Sequence, residues 1–404
     1  MLYQSYQVHD DFLSPIRTAA HCLVYLDAFA FWDWLDTPRR HRRAFLEMLS
    51  RFQLTHSRPA FDLEPIQTDR GLQQVTEEIA LDLPFGKLLR FAKEDSTDQP
   101  RILVTAPLSG HFSTLLRSTV QTLLHDHEVY LTDWTNARDV PLEAGRFGVD
   151  EYIEYLITFL ETIGDEVHLL AVCQSCVQAL AAVAIMSEER HSATPRSMTL
   201  MSGPIDTRES PTVVNKLANE RSIAWFKDNV ITKVPSRYQG AGRLVYPGFV
   251  QLSAFMSMNM DRHRDQHRKL FRHLAAGEEK EAKKIKDFYD EYFAVLDLTE
   301  EFYLETIERI FQRADLAKGN FTYKGRAISP SAIRRTALLT VEGGRDDICS
   351  LGQTAAAHDL CDRLHPHLKR HHLQANVGHY GTFAGKRWNR EIYPVVRNMI
   401  LAMG

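Results

Sequence analysis

Residues 168–185, HLLAVCQSCVQALAAVAI, run an apolar strand directly into an apolar helix, with no proline and no loop between them. His168 to Val172 is short and strand-like, while Val177, Leu180, Ala181 and Ala184 fall on one buried helical face. The chain must therefore turn sharply at the polar residues between. The same alternation extends to both sides. RILVTAPLSGH (101–111) and HEVYLTDW (127–134) are β-rich and are separated by the helix-like FSTLLRSTVQTLLHD. The helix-like GVDEYIEYLITFLETIG, then EVHLLAV and SMTLMSGPID, complete a βαβ series, which implies a parallel sheet. Upstream, VTEEIALDLPFGKLLRFA (75–92) alternates like a hairpin, and residues 1 to 74 read as a helical extension. From 206 to 332 the alternation stops in favour of charged helical sequence with Tyr and Phe interleaved. It resumes with the strand TALLTVEGGRDD, a helix, the strand-like KRHHLQANVGHY and a last helix near 388–401. No internal repeat is present. The expected organisation is one α/β core, residues 75–205 and 333–404, interrupted by a helical insertion at 206–332. At about 125 residues that insertion is too long to be a structureless loop.

Composition narrows the setting. The 404 residues are 44% hydrophobic and 25% charged, enough for a large core. A net charge of −4 offers no global basic field for nucleic acid, and the basic PRRHRR at 38–43 reads as a solvated helix face. The N-terminal sequence lacks a basic segment followed by a clean apolar run, so no secretory signal is expected. Leu23 to Leu35 is broken by Asp27 and Asp33 and reads as an amphipathic helix. The run at 243–260 contains Pro247, Gly248, Gln251 and Asn259, which spoil it as a membrane span. Five cysteines (22, 173, 176, 349 and 361) are too few for a disulfide scaffold, and a reducing cytoplasm fits them.

The turn inside 168–185 resembles the nucleophile elbow of α/β-hydrolases, which aims one side chain out of a parallel sheet. Strand and helix approach so closely there that residues two before and two after the nucleophile must be small. For Cys173 those are Ala171 and Ser175; for Ser175 they are Cys173 and Val177; for Cys176 they are Gln174 and Gln178. The rule selects Cys173. A buried core cysteine is the plain alternative for this stretch taken alone. A redox Cys-x-x-Cys pair is another, but it accounts for nothing else in the chain. Zinc would need a second ligand cluster, and His263 and His267 have helical spacing with no flanking Glu, so no metal is expected.

An elbow nucleophile requires an acid after a later strand and then a histidine near the C-terminus. LLTVEGGRDDI supplies a strand, a glycine turn and Asp346 or Asp347; ANVGHYGTF supplies His379 in a polar loop before the final helix. Asp346 is favoured as the acid because it emerges first and Ile348 can anchor back into the core. One oxyanion donor would be the backbone N–H of Gln174, and the other would come from Leu108 and Ser109 after an earlier strand.

Taken in order, APLSGHFSTLLRSTV, YLTDWTNARDVP, VCQSCV, SGPIDTRESPTVVN, VYPGF, VEGGRDDICSLGQTAAAHDL and VGHYGTFAGKRW resemble intracellular polyhydroxyalkanoate depolymerases, especially the poly(3-hydroxybutyrate) type. The resemblance spans nearly the whole chain. It implies an α/β-hydrolase fold with a mostly parallel sheet and a helical cap at 206–332. It also implies a cysteine hydrolase that cuts ester bonds of amorphous storage polyester in cytoplasmic granules. The triad falls on Cys173, Asp346 and His379, with no cofactor. The polymer chain and the granule surface are the implied partners, and a homo-oligomer stays open. Tyr246, Phe249, Phe255 and Met256 are the candidates for gripping the polymer, with packing inside the cap as their other use. Two alternatives stand beside this reading. A polyhydroxyalkanoate synthase-like acyltransferase shares the triad but has a glycine-flanked cysteine, unlike Ala171 and Ser175. A granule-associated protein without activity would have no need of a complete triad.

Overall fold

The computed structural model describes residues 2–27, 36–68, 71–94, 99–258 and 260–404. Eight strands form its central sheet: β1 (Val75–Leu83), β2 (Gly86–Lys93), β3 (Arg101–Thr105), β4 (Glu128–Trp134), β5 (Val167–Val172), β6 (Ser197–Met201), β7 (Ala337–Gly343) and β8 (Lys369–Gln374). Their order is β8-β7-β6-β5-β3-β4-β2-β1. The six strands from β8 to β4 pair in parallel, and the β1–β2 hairpin is added antiparallel along β4. This is the α/β-hydrolase fold. Every residue of β5 and β7 is buried, as near-continuous apolar runs in a helix-covered parallel sheet should be.

The α-helices of seven residues or more among the described residues are α1 (Leu2–Asp27), α2 (Asp36–Arg51), α3 (Arg117–Leu123), α4 (Val149–Ile163), α5 (Ser175–Glu189), α6 (Val213–Glu220), α7 (Ile223–Val230), α8 (Gly248–Met258), α9 (Met260–Ala276), α10 (Glu279–Tyr292) and α11 (Tyr393–Met403). Among the described residues no helix is long and apolar enough to cross a membrane. Helix α5 is buried nearly all round, with little difference between its faces, because it packs between the sheet and α4. Between the neighbouring strands β6 and β7 the chain makes an excursion that holds α6 to α10. A small antiparallel sheet of residues 232–233, 244–246 and 298–299 lies within it. The N-terminal helices rest on this excursion. The Tyr3 hydroxyl donates to Asp297 Oδ2 at 2.8 Å, and Lys286 of α10 donates to Glu47 of α2 at 2.8 Å.

Two expectations need correction. Among the described residues of 1–74, helix is confined to α1 and α2; beyond Phe52 the described chain is largely extended, ending in a hairpin of 66–68 against 71–73. Pro59 and Pro65 remove backbone donors, and Gly71 takes φ +109°, so this stretch suits a helix poorly. The stretch Leu23 to Leu35 is helical to Asp27, and its remainder lies outside the described residues, as does Asn259. The helix expected after β7 is also reduced, to the single turn Ala357–Leu360. The buried Glu342 carboxylate explains this: its Oε1 accepts the N–H groups of Thr354 at 2.8 Å and Ala355 at 2.9 Å, fixing the preceding chain as turns.

Candidate active site

At the end of β5 the chain turns through Cys173, whose φ of +58° is left-handed. A residue with a Cβ holds that conformation at a cost of about 1–3 kcal/mol, and surrounding bonds must impose it. They are present. The N–H of Cys173 donates to Met201 O at 2.8 Å, and its carbonyl accepts Cys176 N–H at 3.1 Å. The buried Ser175 hydroxyl accepts Val172 N–H at 3.1 Å and lies 3.0 Å from Thr105 O. A larger residue at 175 would lose that seat. Gly203 crowds the same turn: a Cβ there would lie 2.2 Å from Cys176 Cβ and 2.9 Å from Cys173 O. The turn thus lifts Cys173 into a pocket while Cys176 points back into the core, fully buried, its thiol 3.3 Å from Ala171 O. Burial, with the nearby Cys173, pushes the Cys176 thiol well above its usual range, so it stays protonated. All five cysteines are unpaired.

His379 and Asp346 meet over this turn. His379 Nδ1 donates to Asp346 Oδ2 at 2.8 Å, both side chains being buried. The other carboxylate oxygen accepts Ile348 N–H at 2.9 Å and Cys349 N–H at 2.8 Å. Asp347, one residue on, is exposed. Ile348 is half-buried on the pocket wall, and Cys349 is the residue that turns fully inward. The two loops are stitched together, since Gly344 N–H donates to Gln374 O at 2.9 Å and Arg345 N–H to Val377 O at 2.8 Å. Thr382 fixes the histidine loop by donating to His379 O at 2.7 Å and accepting from Ser202 at 3.0 Å. With Nδ1 engaged, Nε2 is the nitrogen left for Cys173. Burial alone would push the His379 pKa down. The Cys173 sulfur and the Asp346 carboxylate outweigh that and raise it to about 10.

Gln174 and Ser109 lie on the same pocket wall as Cys173. No protein acceptor among the described residues takes the backbone N–H of Gln174, Leu108 or Ser109. The Leu108 side chain itself is in the core. The pocket encloses about 500 Å³ between the sheet's C-terminal edge and the excursion, with Leu115, Phe226, Tyr246, Phe255, Tyr303 and Phe311 on its walls.

The four aromatic and sulfur candidates separate. Tyr246 and Phe255 line the pocket, Tyr246 stacked on Tyr303 with centroids 3.8 Å apart. Phe249 is turned away and stacks on Tyr6 of α1 at 4.3 Å, and Met256 packs on the cluster of Leu252, Tyr289, Tyr292, Phe293 and Val295, which Phe255 also touches. The helical period explains the split: 251, 254 and 255 share one face of α8, and 249, 252 and 256 share another. His263 bonds to Tyr289 Oη and His267 to the carbonyl of His263, so their helical spacing serves packing within α9 and α10. Pocket residues not anticipated from sequence are His111, Gln251, Tyr303 and Tyr380. His111 could have been suspected, since it stands two residues after Ser109 of the Leu108–Ser109 turn; Tyr303 carries no local signal.

A sequence profile described as PHB de-polymerase C-terminus matches residues 202–403. No curated protein matches the chain. Solved structures that align with it include a 2-hydroxy-6-oxo-6-phenylhexa-2,4-dienoate hydrolase from Rhodococcus sp. strain RHA1, at 10% identity and TM-score 0.44, covering 81% of this chain and 99% of the other. A monoacylglycerol lipase from Paleococcus ferrophilus aligns at 14% identity and TM-score 0.42, covering 75% and 95%. A meta-cleavage product hydrolase from Pseudomonas fluorescens IP01 aligns at 16% identity and TM-score 0.41, covering 80% and 96%.

Proposed function

The chain belongs to the PHB de-polymerase family, and from that premise we propose that it hydrolyses ester bonds of amorphous poly(3-hydroxybutyrate) through Cys173, His379 and Asp346. The observation that carries this reading is Cys173 at φ +58° on a strand-to-helix turn, beneath a histidine whose Nδ1 is held by a buried carboxylate. Asp346 fixes the imidazole so that Nε2 faces the sulfur. His379 takes the thiol proton as the sulfur attacks the ester carbonyl. The oxyanion forms against the N–H groups of Gln174 and the Leu108–Ser109 turn. Collapse breaks the C–O bond, His379 protonates the leaving alkoxide, and an acyl-cysteine thioester remains. Water deprotonated by His379 then attacks the thioester, releasing the acid and restoring the thiol.

Residues 206–332 act in this reading as a cap that shapes access, with Tyr246 and Phe255 offering apolar surface to the polyester. The enzyme works on cytoplasmic granules. The test is release of acid from amorphous polymer granules by purified protein without coenzyme A, compared with its Cys173→Ala variant. Turnover that needs a coenzyme A thioester and lengthens the polymer would replace this reading with acyl transfer.

A further inference from the structure

Beside the oxyanion turn, two polar side chains on the pocket wall keep hydrogen-bonding atoms that have no protein partner among the described residues. His111 is 4% exposed and forms part of the pocket wall. Its Nε2 lies 3.2 Å from Tyr292 O. A carbonyl can only accept, so Nε2 carries the ring proton. Burial, opposed weakly by that bond, lowers its pKa to about 4, so the ring is neutral near pH 7 and Nδ1 keeps its lone pair. Among the described residues no protein donor reaches Nδ1, and that atom is not sealed in the interior. The second side chain is Gln251 on α8. Gly110, at φ +94°, would place a Cβ 2.8 Å from Gln251 Cγ, so the glutamine stem lies directly on the oxyanion turn. Among the described residues its carboxamide has no hydrogen-bond partner, and Gln251 lines the pocket. The wall around them is held firm: Leu296 N–H donates to Gly110 O at 3.0 Å, and His111 bridges to Val295.

We propose that His111 and Gln251 form a hydroxyl-recognition subsite that makes the enzyme prefer esters of hydroxy acids over unsubstituted fatty esters. A substrate hydroxyl donates to His111 Nδ1, and its oxygen accepts from the Gln251 carboxamide. An apolar pocket discriminates poorly between a chain and its hydroxylated analogue, whereas buried polar groups left unpaired penalise the analogue that lacks the hydroxyl. In a polyester of hydroxy acids only the hydroxyl-terminal unit has a free hydroxyl. The subsite therefore favours chain ends and short oligomers over the middle of a chain. This assignment rests on the reading of the pocket as a polyester-hydrolase site.

Two soluble probes test it: p-nitrophenyl 3-hydroxybutyrate and p-nitrophenyl butyrate. The expected kcat/KM ratio favours the hydroxylated ester by about tenfold, the size of one or two net hydrogen bonds. In His111→Phe and in Gln251→Leu that ratio falls towards one, with the loss on the hydroxylated ester appearing in KM. Gln251 is half-buried on a helix and binds no protein group, so its variant keeps the test valid if His111→Phe folds poorly, as judged by its melting temperature. Wild-type protein that hydrolyses both esters alike, or variants that lose the same factor on both, would overturn the subsite and leave the hydrolase reading standing. Wild-type protein that hydrolyses neither would overturn both.

Discussion

The turn from β5 to α5 and the helix α8 both line the pocket, but their residues are assigned to it by different means. At the turn the local chain path decides everything. Ala171 and Ser175 are small because strand and helix nearly touch, Cys173 is forced to φ +58°, and Cys176 falls on the buried side of the first helical turn. On α8 the local sequence, GFVQLSAFMSM, is apolar on nearly every face. There Phe255 faces the pocket and Phe249 does not, and the difference is made by Tyr6, 243 positions away in sequence. Sterics within a few residues can be read from sequence, whereas partners supplied by distant elements cannot.

Substitutions at the turn should sharpen this contrast most. Cys173→Ala is expected to remove hydrolysis of polymer and soluble ester alike, by roughly 10⁴-fold or more, as loss of a nucleophile does. Its circular dichroism should be unchanged. Cys176→Ala, three residues on, should keep most of its activity and lose about 1 kcal/mol of stability from a small cavity. Near-normal turnover by Cys173→Ala would break the elbow assignment, and an inactive but folded Cys176→Ala would restore the redox pair.

The next largest effect separates adjacent carboxylates. Asp346→Asn should lower kcat by about 10³–10⁴-fold, because an amide can hold the wrong imidazole tautomer. Asp347→Asn, whose side chain is exposed, should change it by no more than about twofold, within the small range of surface substitutions. The comparison is a single assay of both variants on a soluble ester, and the reverse order would move the acid role to Asp347.

Much of the fold was legible for the same local reason. Most strands of the parallel sheet are short apolar runs bounded by turns, and β3 to β7 stand where that pattern places them, while β8 is a polar strand at the sheet's edge. Chain order and a glycine turn single out His379 and Asp346 in the sequence, and their side chains lie 2.8 Å apart. The failures share a different cause. Residues 52–74 carry prolines and Gly71 that favour an extended path over the expected helix, and the segment after β7 loses its helix to a carboxylate, Glu342, buried beneath it. Nothing local gives His111 and Gln251 a role in the pocket, because their setting arises from Tyr292 and Gly110, which the fold brings to them.

The smallest expected effect distinguishes two phenylalanines of α8. Phe249 stacks on Tyr6 at 4.3 Å and meets Tyr3 edge-on at 5.6 Å, while Tyr3 is itself bonded to the buried Asp297. Phe249→Ala therefore removes one of the contacts that seat α1 on the rest of the molecule. It should cost about 2 kcal/mol, less than a fully buried phenylalanine because the residue is half-buried. Activity on polymer and on a soluble butyrate ester should then fall together, and only where the protein begins to unfold. Phe255 lies on the pocket wall, its ring 6.0 Å from that of His111. Phe255→Ala should lower hydrolysis of amorphous granules about threefold to fivefold more than that of the short ester. Losing one apolar contact worth about 1 kcal/mol matters to a long chain and little to a short one. Thermal melts beside both assays decide the matter. If Phe255→Ala tracks stability as Phe249→Ala does, both are packing residues and the polymer is gripped elsewhere. If Phe249→Ala instead weakens granule hydrolysis at temperatures where it is fully folded, the surface that meets the polymer extends from the pocket across α8 to the exposed apolar stripe of α1, through Val8, Phe12 and Leu23.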